Sequence, residues 1–336
     1  VVGDNCFSGN LGLLPNTYLC GMKEWHLGQI PKILYLYWGG GKMCYLRYLT
    51  ISTFRYYNPD WNIVLCRPEI NQKNISWETP EQKYPSNYVD YSENVKNDGV
   101  IIRDFNFGHL GFSNVASSVH QSDFIRWRLL STTGGLWADM DILFTKPMNE
   151  LYFNTENNKE INTVFCISHY GHSIGFLMSS QNNKYFERIA GSSLMAYQKK
   201  EYQCMGSLLC NKLFPTVKSA DINGVVAHNL AMDVVYAYDT YHAREIFSPP
   251  KLSSRFTDKT IGIHWYAGGK FAGAYLNRTG GGAFPDKNLI GKLTKEYENI
   301  NDNGISQQTK IIRHHSTAYK EIISKGVQNY YNRQRR

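Results

Sequence analysis

The chain has 336 residues, 42% of them apolar and 14% aromatic, enough to bury a large core as one domain or as a domain with an appendage. It contains no apolar run of about eighteen residues, and its start, VVGDNCFSGN, has neither a basic nor an apolar segment, so neither a transmembrane span nor a signal peptide is read. The net charge of +8 is concentrated in a tail, leaving an ordinary charge balance elsewhere and no Arg-aromatic interleaving of the kind that binds nucleic acid.

Residues 1–29 read as a polar N-terminal extension. The chain does not begin with Met, so an upstream leader or anchor is allowed for. Of the seven cysteines, at 6, 20, 44, 66, 166, 204 and 210, none forms a CxxC pair or a zinc-ligand spacing. Several lie in strand-like runs and read as buried thiols, and Cys6 with Cys20 is the one pair placed to bridge. Asn74 and Asn277 begin N-x-S/T triplets, which are common by chance.

The main domain is read over 30–275. KILYLYW (32–38) is a β-branched and aromatic strand ending in Gly39, Gly40 and Gly41; YLRYLTISTFRYY (45–57) follows as a helix stopped by Asn58-Pro59. WNIVLC (61–66) and GVIIRDF (99–105) are further strands with a looped stretch between them. SNVASSVHQSDFIRWRLLSTTGG predicts a helix from about 114 to 132, opened by a Ser cap and closed by glycines. LWADMDILF, TVFCIS and IGFLMSS add strands, NKYFERIAGSSLMAYQKK a helix, and KTIGIHWYAGGKF (259–271) a late strand running into a Gly turn. This alternation predicts an α/β fold with a mainly parallel sheet, where ligands collect beyond the carboxyl ends of the strands. Residues 276–336 form a C-terminal extension. Its end pairs an apolar i, i+3/i+4 pattern with seven Lys or Arg against Glu321 alone. That basic amphipathic helix suits either packing on the core with a solvated face or peripheral contact with an acidic membrane.

Two features carry chemistry. Asp139 and Asp141 stand one residue apart in an apolar run; at a strand end leading into a turn both can reach one ligand. Carboxylates so placed repel each other unless a cation is present, and a divalent metal removes that penalty while leaving positions for phosphate oxygens. On the preceding helix Asp123 and Arg126 lie i, i+3 among Phe124, Ile125, Trp127 and Leu129, so their pairing is buried and suits a polyhydroxyl or phosphate ligand.

SDFIRWRLLSTTGGLWADMDI resembles the S-D-x-x-R-x-x-x-L-x-x-x-G-G-x-Y-x-D-x-D signature of GT-A glycosyltransferases of family 32, the Och1-like and α-1,4-sugar transferases, and equally the glucosyltransferase domains of large clostridial toxins. IPKILYLYWGGGK resembles the opening IPKIIHxIW of that family and the FIWIGG of the toxins, YYNPDW the NPDW that follows, and IGIHWYAGGKF the closing HxWxGSW-type motif. The resemblance covers roughly residues 30–270. It implies a GT-A fold, Rossmann-like with a mainly parallel mixed sheet flanked by helices. The activity implied is metal-dependent transfer of a hexose from a nucleotide-diphospho-sugar, a UDP-sugar or GDP-mannose, to a glycan or protein hydroxyl with retention. It further implies that Trp38, beside Gly39, stacks on the base; that Asp123 and Arg126 hold the sugar hydroxyls and diphosphate; and that Asp139 contacts the ribose and sugar. Asp141 would bind Mn2+ or Mg2+, His264 would contact metal or diphosphate, and Lys270 would neutralise the leaving diphosphate. Trp137 stands at the usual Tyr. Two departures concern donor and acceptor choice: GGK replaces G-S-W, and Ile174 replaces Asn before Gly-Phe. A catalytically silent GT-A scaffold that binds a sugar or a partner is the alternative of another class, and the intact Asp123, Arg126, Asp139 and Asp141 speak against it. The compartment stays open between a cytoplasmic enzyme of viral or effector type and a Golgi-lumenal catalytic domain whose anchor has been removed.

Overall fold

The computed structural model describes residues 30–69, 83, 86, 88–151, 160–249, 255–283 and 288–308, with side chains described only to 299. Cys6 and Cys20, Asn74 and the basic tail from Thr309 lie outside the described residues.

The first strand, β1 (Ile33–Tyr37), is buried along its whole length because both its faces are covered. Leu34, Leu36 and Trp38 join one core with Ile51 and Phe54 of α1 (Tyr45–Tyr57); Ile33, Tyr35 and Tyr37 join a second core with Phe124, Trp127 and Leu130 of α2 (Ser118–Thr132). The period-two alternation thus feeds two layers at once. β2 (Asn62–Pro68) and β3 (Ile101–Phe105) extend the sheet on one side, and β4 (Gly135–Ala138) pairs β1 on the other, all parallel.

The run LWADMDILF does not continue as one strand. β4 ends at Ala138, and β5 (Ile142–Phe144) belongs to a separate two-stranded sheet with β9 (Gly262–His264), antiparallel. Asp139, Met140 and Asp141 are the connection between the two sheets. Beyond β5, β6 (Thr163–Ser168) and β7 (Gly171–Ser179) form a hairpin whose second strand runs antiparallel against β4. α3 (Lys184–Ala196) and α4 (Ser207–Leu213) follow, then β8 (Ala227–Asn229) parallel to β6. The large sheet therefore has the order β3-β2-β1-β4-β7-β6-β8, with β7 alone reversed. The expected mainly parallel mixed sheet flanked by helices is what the structure shows.

The elements around β9 are short, apart from the last helix. α5 (Met232–Val235) and α6 (Ala243–Ile246) precede β9, and α7 (Lys270–Thr279) and α8 (Leu289–Gln308) follow it. Ile263, Trp265, Tyr275, Leu276, Ile290 and Tyr297 build a third core with Leu46 and Leu49 from the far side of α1. No described helix is long and apolar enough to cross a membrane. The five described cysteines, 44, 66, 166, 204 and 210, are buried and unbridged, as their apolar settings predict.

α2 starts later than its sequence predicts. Ser113 to Ser117 form turns in which Asn114 and Asn106 bond each other and the backbone of Gly108 and His109. The cap is Ser117, whose hydroxyl accepts the His120 amide. Ser and Asn compete with helical hydrogen bonding in this way, and here they win for four residues, 114–117. At its other end the helix stops at Gly134, in the left-handed region at φ 68°, where a Cβ would lie 2.5 Å from the Ser180 carbonyl carbon and 2.6 Å from the Ser179 oxygen.

Gly134→Ala is therefore expected to cost about 2–4 kcal/mol, combining backbone strain with a clash against main chain. Gly191→Ala, inside α3 with open space where a Cβ would go, is expected to add about 0.5–1 kcal/mol. Urea unfolding midpoints with unchanged slopes check both; equal stability of the two variants contradicts this account of the helix-to-strand turn.

Candidate active site

The connection from β4 to β5 sits at the carboxyl edge of the large sheet, and neighbouring elements hold both of its acids. The Asp139 amide donates to the Gly175 carbonyl at 2.8 Å, extending the β4–β7 ladder by one residue past the strand. Its Oδ1 accepts from the Trp137 indole at 3.0 Å and from Arg126 Nη2 at 3.0 Å. Asp141 faces the other sheet: its carbonyl accepts the Trp265 amide at 2.9 Å and its Oδ2 accepts the Ala267 amide at 2.8 Å. The register Ile142↔His264 then places His264 beside it, with Nε2 3.2 Å from Asp141 Oδ1 and 3.9 Å from Asp139 Oδ2. One ligand atom from each of Asp139, Asp141 and His264 lies within 4.8 Å of the others, a spacing that can hold a metal ion.

Gly175 makes this closeness possible. A Cβ there would lie 2.9 Å from Asp139 Oδ2 and 3.0 Å from His264 Nε2, so any side chain would part the two ligands. Ile174, before it, contributes backbone: its carbonyl accepts Arg126 Nη1 at 2.7 Å.

Arg126 is the cationic centre of the α2 side. Besides Asp139 it meets Asp123 Oδ1 at 3.4 Å, and its guanidinium lies 4.8 Å from the centre of the Trp137 ring. Asp123 is buried, and burial pushes its carboxyl up to about 7, with Arg126 opposing and Asp139 reinforcing the shift. Asp139 goes the other way: burial raises it, but Arg126 and His264 outweigh burial and hold it below the ordinary carboxylate range. Asp141 is likewise depressed, by His264 and by Arg47 of α1, against its own burial. Burial lowers His264, yet Asp141 and Asp139 dominate and raise it to about 9. Without a metal, the imidazolium is the cation that keeps the acids together.

Five buried polar atoms here have no hydrogen-bond partner among the described residues: Asp123 Oδ2, Arg126 Nε, Tyr236 Oη, His264 Nδ1 and Trp265 Nε1. Such atoms are costly unless a ligand satisfies them. Asp123, Arg126, Trp137, Asp139, Asp141 and His264 are thus brought together. Trp137 is fully buried and spends its N–H on Asp139, so it acts through that carboxylate and not on the cleft surface. Trp38 is 8% exposed, donates its indole N–H to the Gly41 carbonyl at 3.2 Å, and has Arg47 5.4 Å from its ring. Gly39 lies against Ser118 at the start of α2, and Lys270 is exposed as the first residue of α7.

The sequence reading missed four contributors. Arg47 stands between the Trp38 and Trp265 rings, 5.4 Å from each centre; a lone cation in the apolar face YLRYL was the available signal. Tyr236 packs 5.4 Å from the His264 ring, and Tyr266, at φ 53°, packs 4.3 Å from it. Tyr202 lies near enough to Asp123, Asp139 and Asp141 for those carboxylates to oppose its ionisation. Nothing in the local sequence marks the three tyrosines among 24.

The raised His264 fixes the sign of a pH dependence. Its ion pairing stabilises the metal-free fold fully below about pH 6.5, the ordinary histidine value. That contribution is lost as pH rises through about 9. Metal-free stability should therefore fall across this range, with the slope absent in His264→Gln. A divalent cation held between Asp139, Asp141 and His264 would displace the same proton, so the affinity for Mn2+ as a probe should rise by up to about tenfold per pH unit below that value. Chemical unfolding without metal and calorimetric Mn2+ titration check the two arms; a flat stability profile or an affinity that falls with pH would contradict the assignment.

A sequence model of the family described as capsular polysaccharide synthesis protein matches residues 86–241. Comparison with curated protein sequences finds no match. Among solved structures, the chain is similar to the PaToxG glycosyltransferase at 16% identity and TM-score 0.40, over 56% of this chain and 72% of that one. It is similar to the galactosyltransferase LgtC, solved with donor and acceptor sugar analogues, at 15% identity and TM-score 0.38, over 70% and 87% of the two chains. With the glycosyltransferase GlyE of Streptococcus pneumoniae TIGR4 the identity is 12% and the TM-score 0.37, over 80% of this chain and 64% of that one.

Proposed function

We propose that this chain is a metal-dependent glycosyltransferase that moves a hexose from a nucleotide-diphospho-sugar to a hydroxyl acceptor. The observation that carries the proposal is the convergence of Asp139, Asp141 and His264 within 4.8 Å beside the buried Asp123–Arg126 pair, whose Oδ2 and Nε have no protein partner among the described residues. Three of the four sequence motifs fall on this place or its rim, while YYNPDW lies at the opposite, amino edge of the sheet, where Asp60 pairs with Lys32; the capsular polysaccharide family match is consistent with a glycan as product.

The donor set fits a divalent cation. Two carboxylates suit hard ions, and the imidazole suits Mn2+ better than Mg2+, which prefers oxygen ligands. When bound, the metal would supply Lewis-acid stabilisation of the departing diphosphate. The chain's own groups do the rest. Arg126, locked by Ile174 and Asp139, offers a fixed positive charge on the sugar-diphosphate side. Asp123, its carboxyl held near 7, can accept from or donate to a sugar hydroxyl. Lys270 and the free amides at the N-terminus of α7 are suited to diphosphate oxygens. Trp38, at the end of β1, lies on the side where the base would stack.

If the configuration is retained, the acceptor hydroxyl attacks from the leaving-group face and passes its proton to a diphosphate oxygen, so no protein nucleophile is required. A UDP-sugar is the preferred donor in this reading, with GDP-mannose second.

Incubation with Mn2+ and a panel of radiolabelled nucleotide sugars should show metal-dependent hydrolysis of at least one donor. Asp141→Asn should reduce it by about 100-fold or more while the melting temperature stays near that of the wild type. Absence of hydrolysis and of metal-dependent nucleotide binding across the panel would overturn the enzyme reading, and full activity of Asp141→Asn would overturn the metal site.

A further inference from the structure

Most large aromatic side chains here are buried, but Tyr170 is 54% exposed and Tyr241 74% exposed, and they stand next to each other. Their ring centres are 5.5 Å apart with planes inclined at 40°, and the exposed His169 ring lies 3.7 Å from Tyr170. Exposed apolar residues scattered singly need no explanation. Two adjacent rings on two distant segments, each on a fixed turn, do.

Both turns are tightly held. In the β6–β7 hairpin the Tyr170 amide donates to Ser168 Oγ at 3.1 Å, Gly171 takes φ 96°, and the His172 amide donates to Asn211 Oδ1 at 2.9 Å. His172 Nε2 is bonded to the Phe214 carbonyl at 2.7 Å. In the other turn Asp239 Oδ1 accepts the amides of Tyr241 at 2.9 Å and His242 at 3.0 Å, and it pairs with His242 Nδ1 at 2.7 Å. The backbone that carries the rings is thus fixed before binding, which lowers the ordering cost of a ligand on them.

Both segments lead back to the metal-ligating cluster. Tyr170 precedes by five residues Gly175, whose carbonyl accepts the Asp139 amide, a distance along an extended strand of about 17 Å. Tyr241 follows by five residues Tyr236, whose ring lies 5.4 Å from His264, which bounds its reach at about 18 Å. The platform therefore stands beyond the carboxyl edge of the sheet, at most about 17 Å along β7 from the Gly175–Asp139 bond, a span that a tri- or tetrasaccharide covers.

We propose that Tyr170 and Tyr241 are the binding platform for the acceptor, and that the acceptor is an oligosaccharide chain whose end reaches the Asp139–Asp141–His264 cleft. This rests on the transferase reading and names its acceptor class. A pyranose presents C–H groups on its faces and hydroxyls on its edge. The negatively charged face of an aromatic ring attracts the first, while the tyrosine hydroxyls, His169 and His242 are suited to the second. Two tyrosines and a histidine offer far less than the roughly 1,200–2,000 Å2 that a stable protein interface buries. They match a sugar chain, and a protein acceptor would need a wider surface.

The test is saturation-transfer NMR on the full chain with Mn2+ and UDP. The probes are cellotetraose, maltotetraose, mannotetraose and galactotetraose, run with wild type, Tyr170→Ala/Tyr241→Ala and Tyr170→Phe/Tyr241→Phe. At least one tetrasaccharide should bind the wild type, with about tenfold weaker binding in the alanine pair and near-wild-type binding in the phenylalanine pair, which keeps the ring faces. Donor hydrolysis to water should be the same in all three. No bound tetrasaccharide, unchanged binding by the alanine pair, or concentration-dependent self-association that only the alanine pair loses would overturn the proposal. Wild type that binds a tetrasaccharide through these rings but neither hydrolyses a donor nor binds nucleotide with metal would sink the transferase reading and leave only a sugar-binding platform.

Discussion

Three carboxylates, Asp123, Asp139 and Asp141, share one largely dehydrated volume, with Arg126 and His264 as the side chains that directly pair with them. In such surroundings like charges are expensive, and the arrangement holds only because each acid has a separate remedy. Asp139 leans on Arg126, Asp141 on His264 and a backbone amide, and Asp123 is the one driven toward its neutral form. The spacing of Asp139, Asp141 and His264 could hold a cation, and a divalent ion there would take over the task of the imidazolium and release its proton.

The architecture can be understood as the means of bringing those five groups together. α2 delivers Asp123 and Arg126, and the Gly134 turn reverses the chain into β4 at once. β4 ends before the first acid so that β5 can leave for the second sheet after the other, and β9 brings His264 from more than a hundred residues away by pairing with β5. Gly175 on the reversed strand β7 leaves the gap in which the ligands meet. One core runs under both sheets, joining Leu136 and Ala138 of β4 to Met140 and to Ile142 and Phe144 of β5, so the connecting residues 139–141 are anchored from both ends.

Much of this was legible in the sequence. β1, α1, the α2 helix and the alternation into a parallel sheet follow from strong periodicity and Gly or Pro punctuation; Asp123, Arg126, Asp139 and Asp141 stand out by their setting in apolar runs, and His264 only by the resemblance of IGIHWYAGGKF to the closing motif. The split of LWADMDILF between two sheets was hidden, since an apolar run cannot show which partner each half will pair with. The late start of α2 was hidden for another reason: Ser113 and Asn114 both favour caps and turns, and only the network with Asn106 decides between them. Arg47, Tyr236, Tyr202, Tyr170 and Tyr241 act through long-range juxtaposition, for which the chain carries no local mark. Trp137, which stands at the usual Tyr, is buried and donates its indole N–H to Asp139, a partnership that only the folded strand end discloses.

The central claim is that one divalent ion binds between Asp139, Asp141 and His264. Electron spin-echo spectroscopy of Mn2+ bound to the full chain, unlabelled and with 15N-histidine, tests it most directly. The account predicts nitrogen coupling from a single directly bound imidazole that changes on 15N labelling and disappears in His264→Gln. A Mn2+ signal with no nitrogen coupling, or one that His264→Gln leaves unchanged, would contradict it.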